Sequence, residues 1–281
     1  MIHVLKAGLW TSIQDRGRYG YRSIGVPLSG AMDLHSAHLA NKLVGNPITA
    51  AILEFTAMGP ELQFDKEAVI AITGATFGIF VNNEEQCINT IIHIKEGDCI
   101  KFTPPKKGWR GYLAIQGGLD SEVVLGSKSM YLGITEKIRI EKGAILNFST
   151  ISQLLKAKDK VLKPLGFDSE FIDVFKGPEY EILDDKTKEN LINNNFKVHQ
   201  NSNRMAIQID GLGEVKFDDI LTVPVQPGTV QITPSGKLLI LMRDAQTTGG
   251  YPRVFQLTND AVNKLAQKRP NDKIVFRITA I

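Results

Sequence analysis

The sequence predicts a mainly β protein of two lobes with a few accessory helices, and three observations carry that prediction. Short runs of Val, Ile, Phe and Thr recur along most of the chain, bounded by Gly, Pro, Asn and Asp, which is the pattern of strands and turns. Helical spacing of apolar residues is clear in only three places. A Lys-rich stretch without aromatics, residues 155–164, interrupts the strand pattern near the middle and reads as a solvated linker. The predicted lobes are residues 1–150 and 151–281.

Strand runs fall at 69–73, 77–81, 89–94 and 112–116 in the first lobe. In the second they fall at 171–175, 205–209, 230–233, 238–242 and 274–278. The best helix is 33–44, where Leu34, Ala37, His38, Ala40 and Leu43 share a face. Asp33 is its natural N-cap and Gly45-Asn46-Pro47 stops it. Two more helices are read at 184–194 and from 259 or 260 to about 267, before Pro270.

Composition bounds the function. With 281 residues, 43% of them hydrophobic and 22% charged, the chain can bury a core without staples, which excludes disorder and collagen-like structure. A formal charge of +3 is too small a footprint for nucleic acid or an anionic membrane, so an anionic ligand must be recognised by a few placed side chains. Cys87 and Cys99 are too far apart for a C-x-x-C ligand pair and too few for a disulfide scaffold. His35 and His38 have no third ligand to join them, so no metal is expected. The N-terminus lacks the pattern of a signal peptide, and no apolar run approaches the ~20 residues of a membrane span, so a cytoplasmic soluble protein is expected.

Two loops look chemical. The first runs from Thr11 to Asp33 and carries four glycines with Gln14, Asp15, Arg16, Arg18 and Arg22. Its glycines permit close approach of backbone to a ligand, and an Arg fork suits a carboxylate or phosphate. The plainer reading is a surface loop whose Arg and Asp pair with each other. The second follows the apolar run 238–242 and reads Arg243-Asp244-Ala-Gln-Thr247-Thr248-Gly249-Gly250-Tyr251-Pro-Arg253. Its hydroxyls and paired glycines fit an oxyanion, and its plainer reading is a hairpin turn. A weak echo links the two, since Asp15 and Asp244 each precede a Gly by five residues, with Tyr21 and Tyr251 close behind. A third segment, Arg110 to Asp120, ends in Gly117-Gly118. The Gly126-Ser-Lys-Ser beyond it lacks the spacing of a phosphate loop, so no nucleotide site is read there.

These motifs together, Thr11-Ser-Ile-Gln-Asp-Arg-Gly-Arg18, Gly25-Val-Pro-Leu-Ser-Gly-Ala-Met-Asp33, Tyr112-Leu-Ala-Ile-Gln-Gly-Gly118 and Asp244-Ala-Gln-Thr-Thr-Gly-Gly-Tyr-Pro252, resemble the biotin-dependent carboxyltransferase-like family. That family includes the C component of 5-oxoprolinase, also called the KipI antagonist KipA, and the allophanate hydrolase subunit 2-like region of urea carboxylase. The resemblance is collinear over nearly the whole chain. It implies two cyclophilin-like β-barrel lobes. It also implies a heteromer in which a KipI-like B component and a LamB/YcsF-type third component act with this chain in ATP-dependent opening of 5-oxoproline to L-glutamate. ATP is then expected at the level of the complex, and no Met-Lys-Met biotin attachment motif is present. Two alternatives stay open: a regulatory protein that antagonises a KipI-like histidine-kinase inhibitor, and a component of a urea or allophanate amidohydrolase or carboxyltransferase. Two departures from the family pattern are Tyr131-Leu-Gly-Ile-Thr-Glu-Lys-Ile-Arg-Ile140 and Arg204-Met205-Ala206, where Arg-Met-Gly is usual.

Residue chemistry then assigns roles. Gln14, Asp15, Arg18, Asp33, Asp244, Thr247, Thr248 and Tyr251 are expected to line a cleft for a small amide or lactam carboxylate. Arg18 with Arg253 would clamp the carboxylate, Asp15 or Asp244 would move protons, and the Thr hydroxyls with the Gly249 and Gly250 amides would polarise the carbonyl. Asp33 is a cap first and a catalyst second.

Overall fold

The computed structural model describes residues 1–149, 166–218 and 220–280; the Lys-rich stretch read as a linker lies outside the described residues. The chain forms two compact units, Met1–Arg18 with Ser29–Leu165, and Tyr19–Leu28 with Gly166–Ile281. A stretch of the first glycine loop therefore belongs to the second unit, which a single boundary at residue 150 does not express.

The first unit contains β1 (Ile2–Lys6), β2 (Trp10–Gln14), β3 (Ile52–Thr56), β4 (Glu61–Phe64), β5 (Ala68–Gly74) and β6 (Ile79–Val81). It continues with β7 (Glu84–Gln86), β8 (Ile91–Ile94), β9 (Cys99–Phe102), β10 (Arg110–Ile115), β11 (Leu119–Asp120) and β12 (Ile145–Phe148). They divide into a seven-stranded sheet, β11-β12-β1-β4-β9-β6-β7, and a five-stranded sheet, β2-β3-β10-β5-β8. Ile2, Val4 and Phe64 of the first sheet share a core with Leu53, Ile70 and Leu113 of the second. All of β10 is buried because successive side chains alternate faces. Leu113 and Ile115 join that core, while Tyr112 and Ala114 pack with Ala37 and Ala40 of helix α1 (Leu34–Leu43). Asp33 caps α1, accepting from the Ser36 N–H at 3.0 Å and the Ser36 hydroxyl at 2.6 Å.

In the second unit the strands are β13 (Phe171–Lys176), β14 (Phe196–Val198), β15 (Ala206–Asp210), β16 (Val223–Pro224), β17 (Thr229–Ile232), β18 (Leu238–Leu241), β19 (Thr248–Gly249), β20 (Arg253–Leu257) and β21 (Lys273–Ile278). Seven close into a barrel in the order β13-β20-β17-β18-β15-β14-β21, and β16 pairs with β19 as a separate arm. The pair β13–β21 is parallel, with Phe171 opposite Val275, and the other barrel pairs are antiparallel. Closure leaves no free sheet edge for another strand to extend. Val174, Val230, Ile240, Phe255 and Phe276 are fully buried or nearly so. Helices α2 (Asp185–Asn193) and α3 (Asn259–Ala266) are capped by Asp184 and Thr258, which accept from the Thr187 N–H at 2.7 Å and the Ala261 N–H at 3.1 Å. The mainly β class with three helices is as the sequence predicts.

Candidate functional site

The expected site residues divide between the units. Gln14, Asp15, Arg18 and Asp33 lie in the first; Asp244, Thr247, Thr248, Gly249, Gly250, Tyr251 and Arg253 lie in the second.

In the first unit the loop side chains are engaged with the protein itself. The Asp15 carboxylate accepts from the Gly17 N–H at 2.8 Å, the Lys128 N–H at 2.7 Å and the Ser127 and Ser129 hydroxyls at 2.7 and 2.6 Å. Arg18, expected to clamp a substrate carboxylate, is fully buried and donates to the carbonyls of Val124 at 2.9 Å and Ser129 at 2.7 Å. It also donates to the Ser29 hydroxyl at 3.4 Å, which ties Ser29 to the segment around Val124 and Ser129. Gln14 is likewise fully buried and donates to the Ser12 hydroxyl and the Met130 carbonyl. Gly30 lets this loop close, for at its φ of +89° a Cβ would meet the Arg16 carbonyl oxygen at 2.9 Å. Asp33 caps α1, and its N–H donates to the Tyr112 hydroxyl at 2.9 Å. Burial, with Glu54 and Asp33 close by, pushes the Tyr112 phenol well above its ordinary value.

The second unit presents its polar groups differently. Asp244 is buried and takes a two-pronged ion pair from Arg204, Nε to Oδ2 at 2.7 Å and Nη2 to Oδ1 at 3.1 Å. The departure from the family's Arg-Met-Gly therefore retains the Arg that Asp244 needs. Gly249 lies in β19, opposite Val223 of β16, and a Cβ there would meet the Gln231 side chain at 2.5 Å. The Thr247 carbonyl accepts from the Val225 N–H at 3.0 Å. The expected Thr-Thr-Gly-Gly oxyanion turn is thus one half of a paired arm. Thr248 is exposed on it, and Tyr251, just beyond, is exposed as well.

Arg253, one of the expected residues, lines a cavity. The cavity has a volume of about 430 Å³, and Arg22, Arg253, Gln226, Thr229, Gln256 and Phe255 are among its lining residues. Glu179 fixes Arg253, accepting from its backbone N–H at 2.9 Å, Nε at 2.8 Å and Nη2 at 2.6 Å. The pairing holds the Glu179 carboxyl below its usual range and raises Arg253. Gly177 makes it possible: a Cβ there would lie 2.0 Å from the Arg253 carbonyl oxygen, so only glycine lets the chain turn into Pro178 and Glu179. Register adds a second device. Val230 lies opposite Phe255 and Gln231 opposite Arg253, which leaves Val254 as an extra residue in β20. That irregularity brings Arg253 and Gln256, three apart, to one cavity, where strict alternation would send them to opposite faces.

Sequence reasoning missed Arg22 as a site residue, and with it Glu179 and Arg204. Arg22 sits in a short 3-10 turn (Arg22–Ile24) and donates to the Val225 carbonyl, 203 positions along the chain. Glu179 and Arg204 carry a readable signal only after the fact, as lone charges beside turn-forming Gly-Pro and Asn residues.

A model of the carboxyltransferase domain, subdomains A and B, matches residues 24–278. The chain belongs to this carboxyltransferase-domain family. Within it, the chain is 31% identical to the C component of the 5-oxoprolinase of Escherichia coli (strain K12), over 95% of this chain and 87% of that protein. The corresponding 5-oxoprolinase component of Haemophilus influenzae is 30% identical over 100% of this chain and 92% of that one. Among solved structures, the urea carboxylase of Kluyveromyces lactis superimposes on 99% of this chain with a TM-score of 0.89 at 29% identity, and the chain spans 27% of that much longer protein.

Proposed function

We propose that this chain is the C component of an ATP-dependent 5-oxoprolinase, acting with a KipI-like B component and a LamB/YcsF-type third component in the cytoplasm to hydrolyse 5-oxoproline to L-glutamate. The observation that carries the reading is the 31% identity to the E. coli C component, which extends over nearly all of both chains. A lactam carbonyl is a poor electrophile, and phosphorylation of its oxygen by ATP makes addition of water and release of phosphate feasible. ATP acts at the level of the complex, and this chain spells no Walker loop. In this reading the residues offered to substrate are those of the second unit: Arg253 for the carboxylate, with Thr248 and Tyr251 on the exposed face. Asp15, Asp33, Asp244 and Arg18 hold the loops in place.

Co-expression of the three components and measurement of 5-oxoproline-dependent ATP hydrolysis tests the proposal. Turnover should require this chain, and equal turnover by the other two components alone would overturn it. The likeness to urea carboxylase favours carboxyl transfer to urea as a second reading. It predicts activity that depends on bicarbonate and a biotinylated carrier and not on 5-oxoproline.

A further inference from the structure

Charge in the 430 Å³ cavity of the second unit does not balance. Two guanidinium groups line it, and Glu179 neutralises one of them, Arg253. Arg22 is half-buried, and no carboxylate among the described residues pairs with it. The Val225 carbonyl takes one of its five N–H donors, which leaves four for another acceptor. Burial lowers its pKa, the direction expected of a cation with no counter-charge, though an Arg stays protonated at neutral pH.

The other polar walls are occupied. The Thr229 hydroxyl donates to Gln256 Oε1 at 3.0 Å, and Gln256 Nε2 donates to the Pro227 carbonyl at 3.0 Å. Pro178 and Pro224 supply apolar surface, Val225 and Phe255 line the cavity from buried positions, and Gln226 presents an exposed side-chain amide. One uncompensated positive charge, apolar walls and a volume within the range of small-ligand sites fit a small molecule with a single negative charge and an apolar body.

We propose that this cavity is a monocarboxylate site in which Arg22 binds the carboxylate, Arg253 gives it a second donor, and the lactam acid is the ligand. The identity of the ligand rests on the 5-oxoprolinase reading; the class of ligand rests on the cavity. A phosphate dianion would leave one charge unmatched.

Titration calorimetry on the full chain tests this with 5-oxoproline, L-glutamate, 2-pyrrolidinone (the same ring without the carboxylate), lactate, acetate and inorganic phosphate. 5-Oxoproline should bind saturably, and 2-pyrrolidinone and the dicarboxylate L-glutamate at least tenfold more weakly. Arg22→Gln should weaken binding at least tenfold with an unchanged melting temperature, and Arg22→Lys should restore part of the loss. Amide chemical shifts of the wild-type chain should move at Val225, Gln226 and Arg253, a readout that does not depend on the variant folding. Failure of every carboxylate to bind, preference for phosphate, binding unaffected by Arg22→Gln, or shifts confined to other residues would each overturn the site. If lactate or acetate binds through Arg22 while 5-oxoproline does not, the cavity stands and the 5-oxoprolinase reading falls. If the assembled enzyme turns over 5-oxoproline equally well with Arg22→Gln, the cavity falls and the 5-oxoprolinase reading stands.

Discussion

The loop around Asp15 and the loop around Asp244 look alike in the sequence, each an acid followed by a Gly five residues on and then a Tyr, yet the protein uses them in opposite ways. Asp15 collects four donors from backbone and serine groups, all neutral. Asp244 is neutralised by a guanidinium from forty residues away. The first loop also sinks a whole arginine into the protein, whereas beyond the second loop Arg253 stands at the edge of a cavity. An acid among glycines therefore announces a shaped backbone, and only the partners of the acid say whether a ligand is wanted there.

The largest effect that sharpens this contrast belongs to Arg18. Arg18→Met leaves the Val124 and Ser129 carbonyls without their donor inside the protein, at about 1–3 kcal/mol each, so a loss near 4 kcal/mol is expected in denaturant unfolding. A change below about 1 kcal/mol would break the claim that the first loop is structural. Asp244→Ala strands a nearly buried Arg204 and should cost about 3 kcal/mol, with part recovered in the Arg204→Met double variant. Asp33→Ala removes the cap of α1 and should cost about 1–2 kcal/mol, read as a lower melting temperature.

The smallest effect is one of pH. Arg253 depresses the folded pKa of Glu179, so the stability this pair adds is present above the unfolded value near 4.5 and is lost as pH falls through the lower folded value. Unfolding curves between about pH 2 and 6 should show a steeper acid loss in the wild type than in Glu179→Gln. Parallel curves would mean that the pair is not what fixes Arg253.

Much of the fold was legible because its signals are local. The runs 69–73, 171–175 and 274–278 became Ala68–Gly74, Phe171–Lys176 and Lys273–Ile278, and Asp33 caps the helix it was expected to cap. Side-chain alternation and capping act over a few residues, so a window of sequence contains their cause. The site was less legible. Arg18 and Arg22 are four residues apart in one glycine loop with the same chemistry, and nothing local tells that one is fully buried while the other belongs to the second unit. Glu179 meets Arg253 across 74 positions and Arg204 meets Asp244 across 40, and such pairs are set by strand register. The extra residue at Val254, which brings Arg253 and Gln256 to one cavity, follows from pairing with β17 and leaves no mark on β20 read alone.

The excursion of Tyr19–Leu28 into the second unit has a consequence for how the molecule is made. Synthesis delivers Arg22 long before Val225, 203 positions later, and the barrel strands that wall the cavity follow in the last third of the chain. The early segment must stay unattached until nearly the whole polypeptide has emerged, so the cavity is among the last parts to mature. A chain of residues 166–281 alone would lack Arg22, the cavity residue that the Tyr19–Leu28 segment supplies.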